Sequence, residues 1–279
     1  MGTSEIGMKV PIRPSFVSVN KTDLMQPVRE ELPLVSCVMA TTQPRRRFLS
    51  QALKYFSRQT YARKELIVVD DPGAPALELV RRTPAVRYLQ PSVRLTLGSK
   101  LNLGITESPG KIIQKLDDDD YYHPEFLAAT VSALRAGDQV DSVVGCSSCL
   151  VLIAATGELK WWNRDLFAGG TLCFFRESWS KDKFPDIDLG EDRSFVRDHG
   201  RKQIGIQDPE LYIYVRHGLG HVWSCFLESQ QREEGAVQAG DDVTEHLRKL
   251  PDYFKSLKDC MPGEHVQFYE GQKLLRLQA

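Results

Sequence analysis

The chain has 279 residues, enough for one large domain or one domain with an appendage. Hydrophobic residues make up 42% and charged residues 26%, an ordinary globular balance with material for a sizeable core. A formal net charge of −1 excludes a globally basic nucleic-acid or membrane-surface binder, so any attraction for anions is local.

Residues 1–33 are polar, with Pro11, Pro14, Pro27 and Pro33, and read as an N-terminal arm that is partly disordered or lies on the domain surface. They show no basic start followed by an apolar stretch, so no secretory signal is expected. No window approaches the roughly 18 apolar residues of a transmembrane helix. Six cysteines in a chain of this length do not make a disulfide framework, and a reducing cytoplasm is the expected compartment.

Leu34–Ala40 has the pattern of a buried strand, broken by Thr41-Thr42-Gln43-Pro44. Arg45-Arg46-Arg47 then opens a helix with Phe48, Leu49, Leu53 and Phe56 inward. These arginines either meet an anion at the strand–helix junction or form a solvated helix start. Glu65–Val69 is a second buried strand ending in Asp70-Asp71, and Pro72-Gly73 turns the chain. A short helix over 76–82 leads to a third strand, Val86–Leu89, then to a helix around Gly98–Ile105.

The strand Lys111–Leu116 ends in Asp117-Asp118-Asp119-Asp120. If extension persists, Asp117 and Asp119 share one face and Asp118 and Asp120 the other, because side chains alternate along a strand. Paired carboxylates at a buried strand end suit a hard divalent cation, with a diphosphate supplying further oxygens. The competing reading is a solvated acidic loop. Tyr121-Tyr122-His123-Pro124 and an amphipathic helix over 125–136 follow.

Asp141–Ile153 reads as one bulged strand. Its Cys146 and Cys149 lack a second ligand pair for zinc and are expected to be structural thiols. Thr156-Gly157-Glu158 is a hairpin-like turn. Gly169-Gly170 feeds a strand to Arg176, as a close backbone approach to a ligand or as a simple turn. Glu191-Asp192 opens a helix with Phe195 and Val196 inward. Acidic residues there serve the helix dipole, or one is a general base. Leu211–Arg216 is a last core strand ending at His217, as polar cover or as a metal ligand, since imidazole suits Mn²⁺ as well as zinc. Ser229–Asp242 is polar, Thr244–Leu247 starts a helix, and Leu247, Leu250, Phe254 and Leu257 are spaced to face inward despite Pro251.

Strands apolar on both faces alternate with helices, which argues for a mostly parallel α/β sheet. Ligands then bind beyond the carboxyl ends of the strands, where Ala40-Thr41-Thr42, Asp70-Asp71 and Asp117–Asp120 converge. Neither a Gly-x-Gly-x-x-Gly fingerprint nor a Gly-Lys-Ser/Thr phosphate loop is present.

In order and spacing, VSCVMATTQPRRRFLSQAL, QTYARKELIVVDD, SKLNLGI…SPGKIIQKLDDDDYYHPEFL, GGTLCFFRESW…FPDIDLGEDRSFV and YVRHG resemble the inverting family 2 glycosyltransferases of the GT-A fold. The resemblance implies a mixed, mostly parallel sheet flanked by helices, with a GT-A domain at 34–223 and a helical tail at 224–279. It places the D-x-D motif on Asp117-Asp118-Asp119, with Asp119 and His217 as metal ligands for Mn²⁺ or Mg²⁺. Asp117, Asp118 and Gly170 fall in the nucleotide-sugar site, with Ala40, Thr41, Thr42, Arg45, Lys100 and Asn102, and Asp71 meets the base. Asp192, or Glu191 beside it, supplies the catalytic base.

The implied reaction moves one sugar from a nucleotide-sugar, UDP by family habit, to a glycan, lipid-linked sugar, peptide or small-molecule acceptor met by loops 157–168 and 176–190. Absence of a Gln-x-x-Arg-Trp segment argues against a processive synthase. A cytoplasmic location is expected, peripheral at a membrane for a lipid-linked acceptor. Two other classes fit parts of the pattern. A sugar-nucleotide nucleotidyltransferase would want a glycine-rich loop where Thr41–Pro44 stands, and a non-catalytic binding module would not need the acidic set.

Overall fold

The computed structural model describes residues 16–19, 32–154, 156–163, 167–198, 200–217 and 250–276, with backbone alone at 16–19 and 270–276. Among the described residues, twelve strands form two sheets flanked by helices. In chain order the strands are β1 (Phe16–Val19), β2 (Val35–Ala40), β3 (Lys64–Val69), β4 (Val86–Leu89), β5 (Ile112–Asp117), β6 (Tyr121–Tyr122), β7 (Ser142–Cys146), β8 (Ser148–Ile153), β9 (Glu158–Asn163), β10 (Cys173–Phe175), β11 (Lys202–Ile206) and β12 (Tyr212–Arg216). The helices are α1 (Arg46–Arg58), α2 (Leu77–Arg81), α3 (Leu97–Thr106), α4 (Phe126–Ala136), α5 (Arg176–Lys181), α6 (Glu191–Arg197), α7 (Leu257–Cys260) and α8 (Gly263–Arg276).

The large sheet has the order β1-β11-β7-β10-β5-β2-β3-β4. Every neighbouring pair in it is parallel except the two made by β10. Alternation along the strands sends side chains to opposite faces. Cys37, Met39, Ile112, Leu116, Val144 and Cys173 join the larger core, which also takes in α1 and α4. Val38, Ile113, Val143 and Phe174 pack on the other side with Leu101 and Ile105 of α3 and Phe195 of α6. Both faces are therefore covered, as the apolar runs of β2, β3 and β5 require.

Three expectations need correction. The stretch 141–153 is not one strand: the chain leaves the large sheet at Ser147, and β8 belongs to a second sheet of order β6-β12-β8-β9. Extension does not persist to Asp120: β5 ends at Asp117, and 118–120 bend before β6. Phe254 does not face inward but is 100% exposed, whereas Leu250 and Leu257 do pack on the core. The Gly157 turn joins β8 to β9 as expected, with φ of +77°. Strands β1, β6 and β11 had no counterpart in the sequence reading. Thr244–Leu247 and Ser229–Asp242 lie outside the described residues.

Where the described residues resume at 250, Asp252 forms an antiparallel bridge with Lys160 of β9, and its carboxylate pairs with the same lysine. The chain then runs through α7 into α8, which lies against α1. His265 of α8 meets Gln51 and Arg58, and the Tyr55 hydroxyl donates to that of Tyr269 at 3.2 Å.

Candidate active site

Strands β2, β3 and β5 run parallel in the middle of the large sheet, so their carboxyl ends open on one side. There lies a cleft of about 510 Å³, counting its open mouth. Ala40, Thr41, Thr42, Arg45, Asp71, Lys100 and Asp117 line it, seven residues the sequence reading assigned to the nucleotide-sugar site. Arg94, Leu95, Leu97 and Asp188 also line it, and sequence reasoning missed them. The Arg94 guanidinium and Asp188 carboxylate are 3.9 Å apart.

Loop 185–188 is tied to the first turn of α3. Asp186 accepts from Thr96 Oγ1 at 2.5 Å and Ser99 Oγ at 2.6 Å, and Asp188 accepts from Leu97 N at 2.9 Å. This part of an expected acceptor loop therefore borders the nucleotide cleft itself.

Lys100 is buried, donates to Thr41 O at 2.8 Å and pairs with Asp71 Oδ1 at 2.5 Å. Asn102 does not reach the cleft. Its amide donates to Phe184 O at 2.8 Å and accepts from the Trp179 indole at 2.9 Å, so it holds the 179–184 turn. The first two arginines of the run are spent on carboxylates within the chain, whereas Arg47 is exposed, as in a solvated helix start. Arg45 meets Asp118 at 2.5 Å and Asp119 at 2.7 Å, Arg46 meets Asp70 at 2.7 Å, and Arg47 donates to Pro44 O at 3.3 Å.

Each of the four consecutive aspartates has its own partner, and all four are buried. Asp118 accepts from Thr41 Oγ1 at 2.7 Å and from Arg45. Asp119 Oδ2 lies 2.8 Å from His217 Nε2, and Phe48 stacks on the His217 ring at 4.2 Å. Asp120 accepts from the Tyr212 hydroxyl and, at 2.8 Å, from Val215 N. Burial lifts the Asp117, Asp118 and Asp120 carboxyls above the usual range, and Arg45 opposes this at Asp118. The Arg45 guanidinium is itself held charged: burial works against the charge, but Asp118 and Asp119 outweigh it.

Asp117 Oδ1 is 3.4 Å from Lys115 Nζ, while Asp117 Oδ2 is a buried oxygen with no hydrogen-bond partner among the described residues. That oxygen faces Gly170, where an added β-carbon would stand 2.7 Å from it. The Tyr122 hydroxyl donates to Gly170 O at 2.9 Å and accepts from Asp117 N at 2.6 Å, locking strand end and turn together. The glycine pair thus admits carboxylates: Asp117 beside Gly170, and Asp192 Oδ2 in the space a side chain on Gly169 would need.

Helix α6 is anchored by Phe195, whose ring lies 4.7 Å from Phe174 and 4.3 Å from Phe184. This leaves Asp192 half-buried and Glu191 only 2% exposed, facing Lys115 Nζ at 3.4 Å. Burial, helped by Asp192, pushes the Glu191 carboxyl up to about 8. Sequence reasoning also missed Lys115, although a lysine inside an apolar strand run is the signal for it. Cys146 and Cys149 are both buried, and burial lifts both thiols, Cys146 to about 12, in keeping with structural roles.

For a divalent ion, Asp119 and His217 offer one carboxylate oxygen and one ring nitrogen side by side, a donor pair that suits Mn²⁺. Among the described residues no third His, Cys, Asp or Glu completes a cluster, so the remaining ligands would come from a diphosphate and water.

Residues 36–178, just over half of the chain, match the family model for glycosyl transferase family 2. A crystal structure of S. aureus TarS in complex with UDP-GlcNAc is similar at a TM-score of 0.55 and 15% identity, covering 76% of this chain and 64% of that one. Its UDP complex gives 0.53 at 15% identity, covering 66% and 60%. The mannosyltransferase PcManGT from Pyrobaculum calidifontis, in complex with GDP-Man and Mn²⁺, gives 0.51 at 17% identity, covering 92% and 79%. The chain thus spans about 60% of the length of the TarS 1-349 structures and 37% of the longer TarS chain. A search of the curated proteins finds no match. The shared architecture is the GT-A fold. No described helix is long and apolar enough to cross a membrane.

Proposed function

Because the chain belongs to glycosyl transferase family 2, we propose that it transfers one sugar from a nucleoside-diphosphate sugar, with UDP as the nucleotide, to an acceptor hydroxyl with inversion. The observation that carries this is the convergence of Thr41, Asp71, Lys100 and Asp117 on one cleft, with Asp192 against Gly169 of the glycine pair that Asp117 also meets. The similar structures named above were solved with UDP, UDP-GlcNAc or GDP-Man, which supports this class of donor.

In this reading Asp71 and Lys100 border the nucleoside, and Asp117 Oδ2 accepts a hydroxyl of the ribose or sugar, which gives that buried oxygen its missing partner. Asp119 and His217 would hold a divalent ion. When bound, the ion offsets charge on the departing diphosphate. Asp192 accepts the proton of the acceptor hydroxyl as that oxygen bonds to the anomeric carbon. The bond to the diphosphate breaks with its electron pair on the phosphate oxygen. One such displacement inverts the anomeric centre. Glu191, buried against Lys115, is out of reach of an acceptor and serves the placement of Asp192.

Calorimetry of UDP, GDP and dTDP with Mn²⁺ and with EDTA tests the donor site. UDP binding that disappears in EDTA, followed by Mn²⁺-dependent hydrolysis of a UDP-sugar, is the expected result. Failure of all three nucleotides to bind overturns the proposal.

A further inference from the structure

We infer that Lys115 is a positioning residue, whose buried ammonium ties Asp117 on the donor side to the first turn of α6 and so fixes where Asp192 meets the acceptor. This rests on the reading of Asp192 as the base.

All six residues of β5 are buried, and an apolar side chain at position 115 would suit its packing. A lysine there is 2% exposed. A buried ammonium is costly unless anions compensate it. Two carboxyl groups face it: Asp117 Oδ1 and Glu191 Oε1, each 3.4 Å from Nζ. Burial opposes the charge, but Asp117, Glu191 and Asp192 outweigh it and raise the ammonium above its ordinary value. Lys115 does not line the cleft, so it acts through its neighbours and not on substrate.

The contacts close a ring. Lys115 holds one oxygen of Asp117, and the other faces Gly170. Gly169 precedes it and receives Asp192. Asp192 follows Glu191, which returns to Lys115. Gly190, at φ of +79°, ends the preceding loop, and no side chain of its own caps α6. Loss of the ammonium leaves Phe195 to hold the far end of a seven-residue helix while its first turn loses its anchor.

The test is Lys115→Met, which keeps chain length and removes charge. Turnover with a UDP-sugar is expected to fall about 10²-fold, the scale of a misplaced reacting group. KM for the donor should change less than about threefold, because Lys115 does not line the nucleotide cleft. Turnover within about threefold of wild type, or a donor KM that rises as far as turnover falls, overturns the inference. If Lys115→Met does not fold, Lys115→Met/Glu191→Leu removes both members of that contact and carries the same test. Should the wild-type chain transfer no sugar, the function proposed above fails by itself. The contact is then read from melting temperature against pH. Without its cationic neighbour Glu191 holds its proton to higher pH, so the decline that sets in above about pH 4.5 should run on to higher pH and be larger in Lys115→Met, and an unchanged decline overturns the inference.

Discussion

The carboxylate of Asp192 occupies the space that a side chain on residue 169 would need. Gly169→Ala therefore displaces the Asp192 carboxylate. Turnover is expected to drop about 10²-fold, while calorimetric UDP affinity stays near wild type, because Gly169 does not line the nucleotide cleft. An equal loss of affinity and turnover would refute a role confined to Asp192.

Asp192→Asn and Asp119→Asn should separate cleanly. Replacing the base lowers turnover by about 10²–10⁴-fold and leaves Mn²⁺-dependent UDP binding intact. Replacing Asp119 removes the oxygen that meets His217 and the partner of Arg45, so binding and turnover both fall. Paired calorimetry and initial rates decide it, and a fully active Asp119→Asn protein would sink the metal assignment.

Glu191 gives a pH signature in stability. Its carboxyl is pushed up to about 8 in the folded chain, from an ordinary 4.5. Between those values the folded state binds more protons than the unfolded state, so this group's contribution is full below about 4.5 and is lost as pH rises through 8. Glu191→Gln cannot ionise. Its melting temperature should decline less than that of wild type between pH 5 and about 9, and parallel curves would contradict the assignment.

Much of this was legible in the sequence, for identifiable reasons. Strands β2, β3 and β5 are apolar runs covered on both faces, and each ends in polar residues that mark the cleft. The acidic run was harder to read. Alternation describes Asp117–Asp120 only while the strand lasts, and Arg45, from 73 positions earlier, takes Asp118 and draws Asp119 with it. Strand β11, Lys202–Ile206, is short and carries a glycine, and it becomes a strand because β1 and β7 flank it. Asn102 was assigned by its place in a segment, whereas its amide is taken by Trp179 and Phe184, which no local pattern announces.

Tyr269 offers a test far from the cleft mouth. Its hydroxyl donates to Asp119 O at 3.2 Å and accepts from Tyr55. Tyr269→Phe strands both partners at a cost of about 1–3 kcal/mol. This should lower the melting temperature by roughly 2–4 °C per kcal/mol and weaken Mn²⁺-dependent UDP binding. Unchanged metal-dependent affinity would show that α8 supports the fold alone.

The same contact orders events during synthesis. Asp119 and Tyr269 are 150 positions apart, and Gln51 meets His265 across 214. Such distant pairings form slowly, and a growing chain folds from its first residues onward. On the ribosome, β2, β3 and β5 have all emerged long before the helix that reaches the carbonyl of Asp119. A nascent chain thus carries its acidic loop without that support until α8 has emerged, so the finished centre belongs only to polypeptides made through to α8.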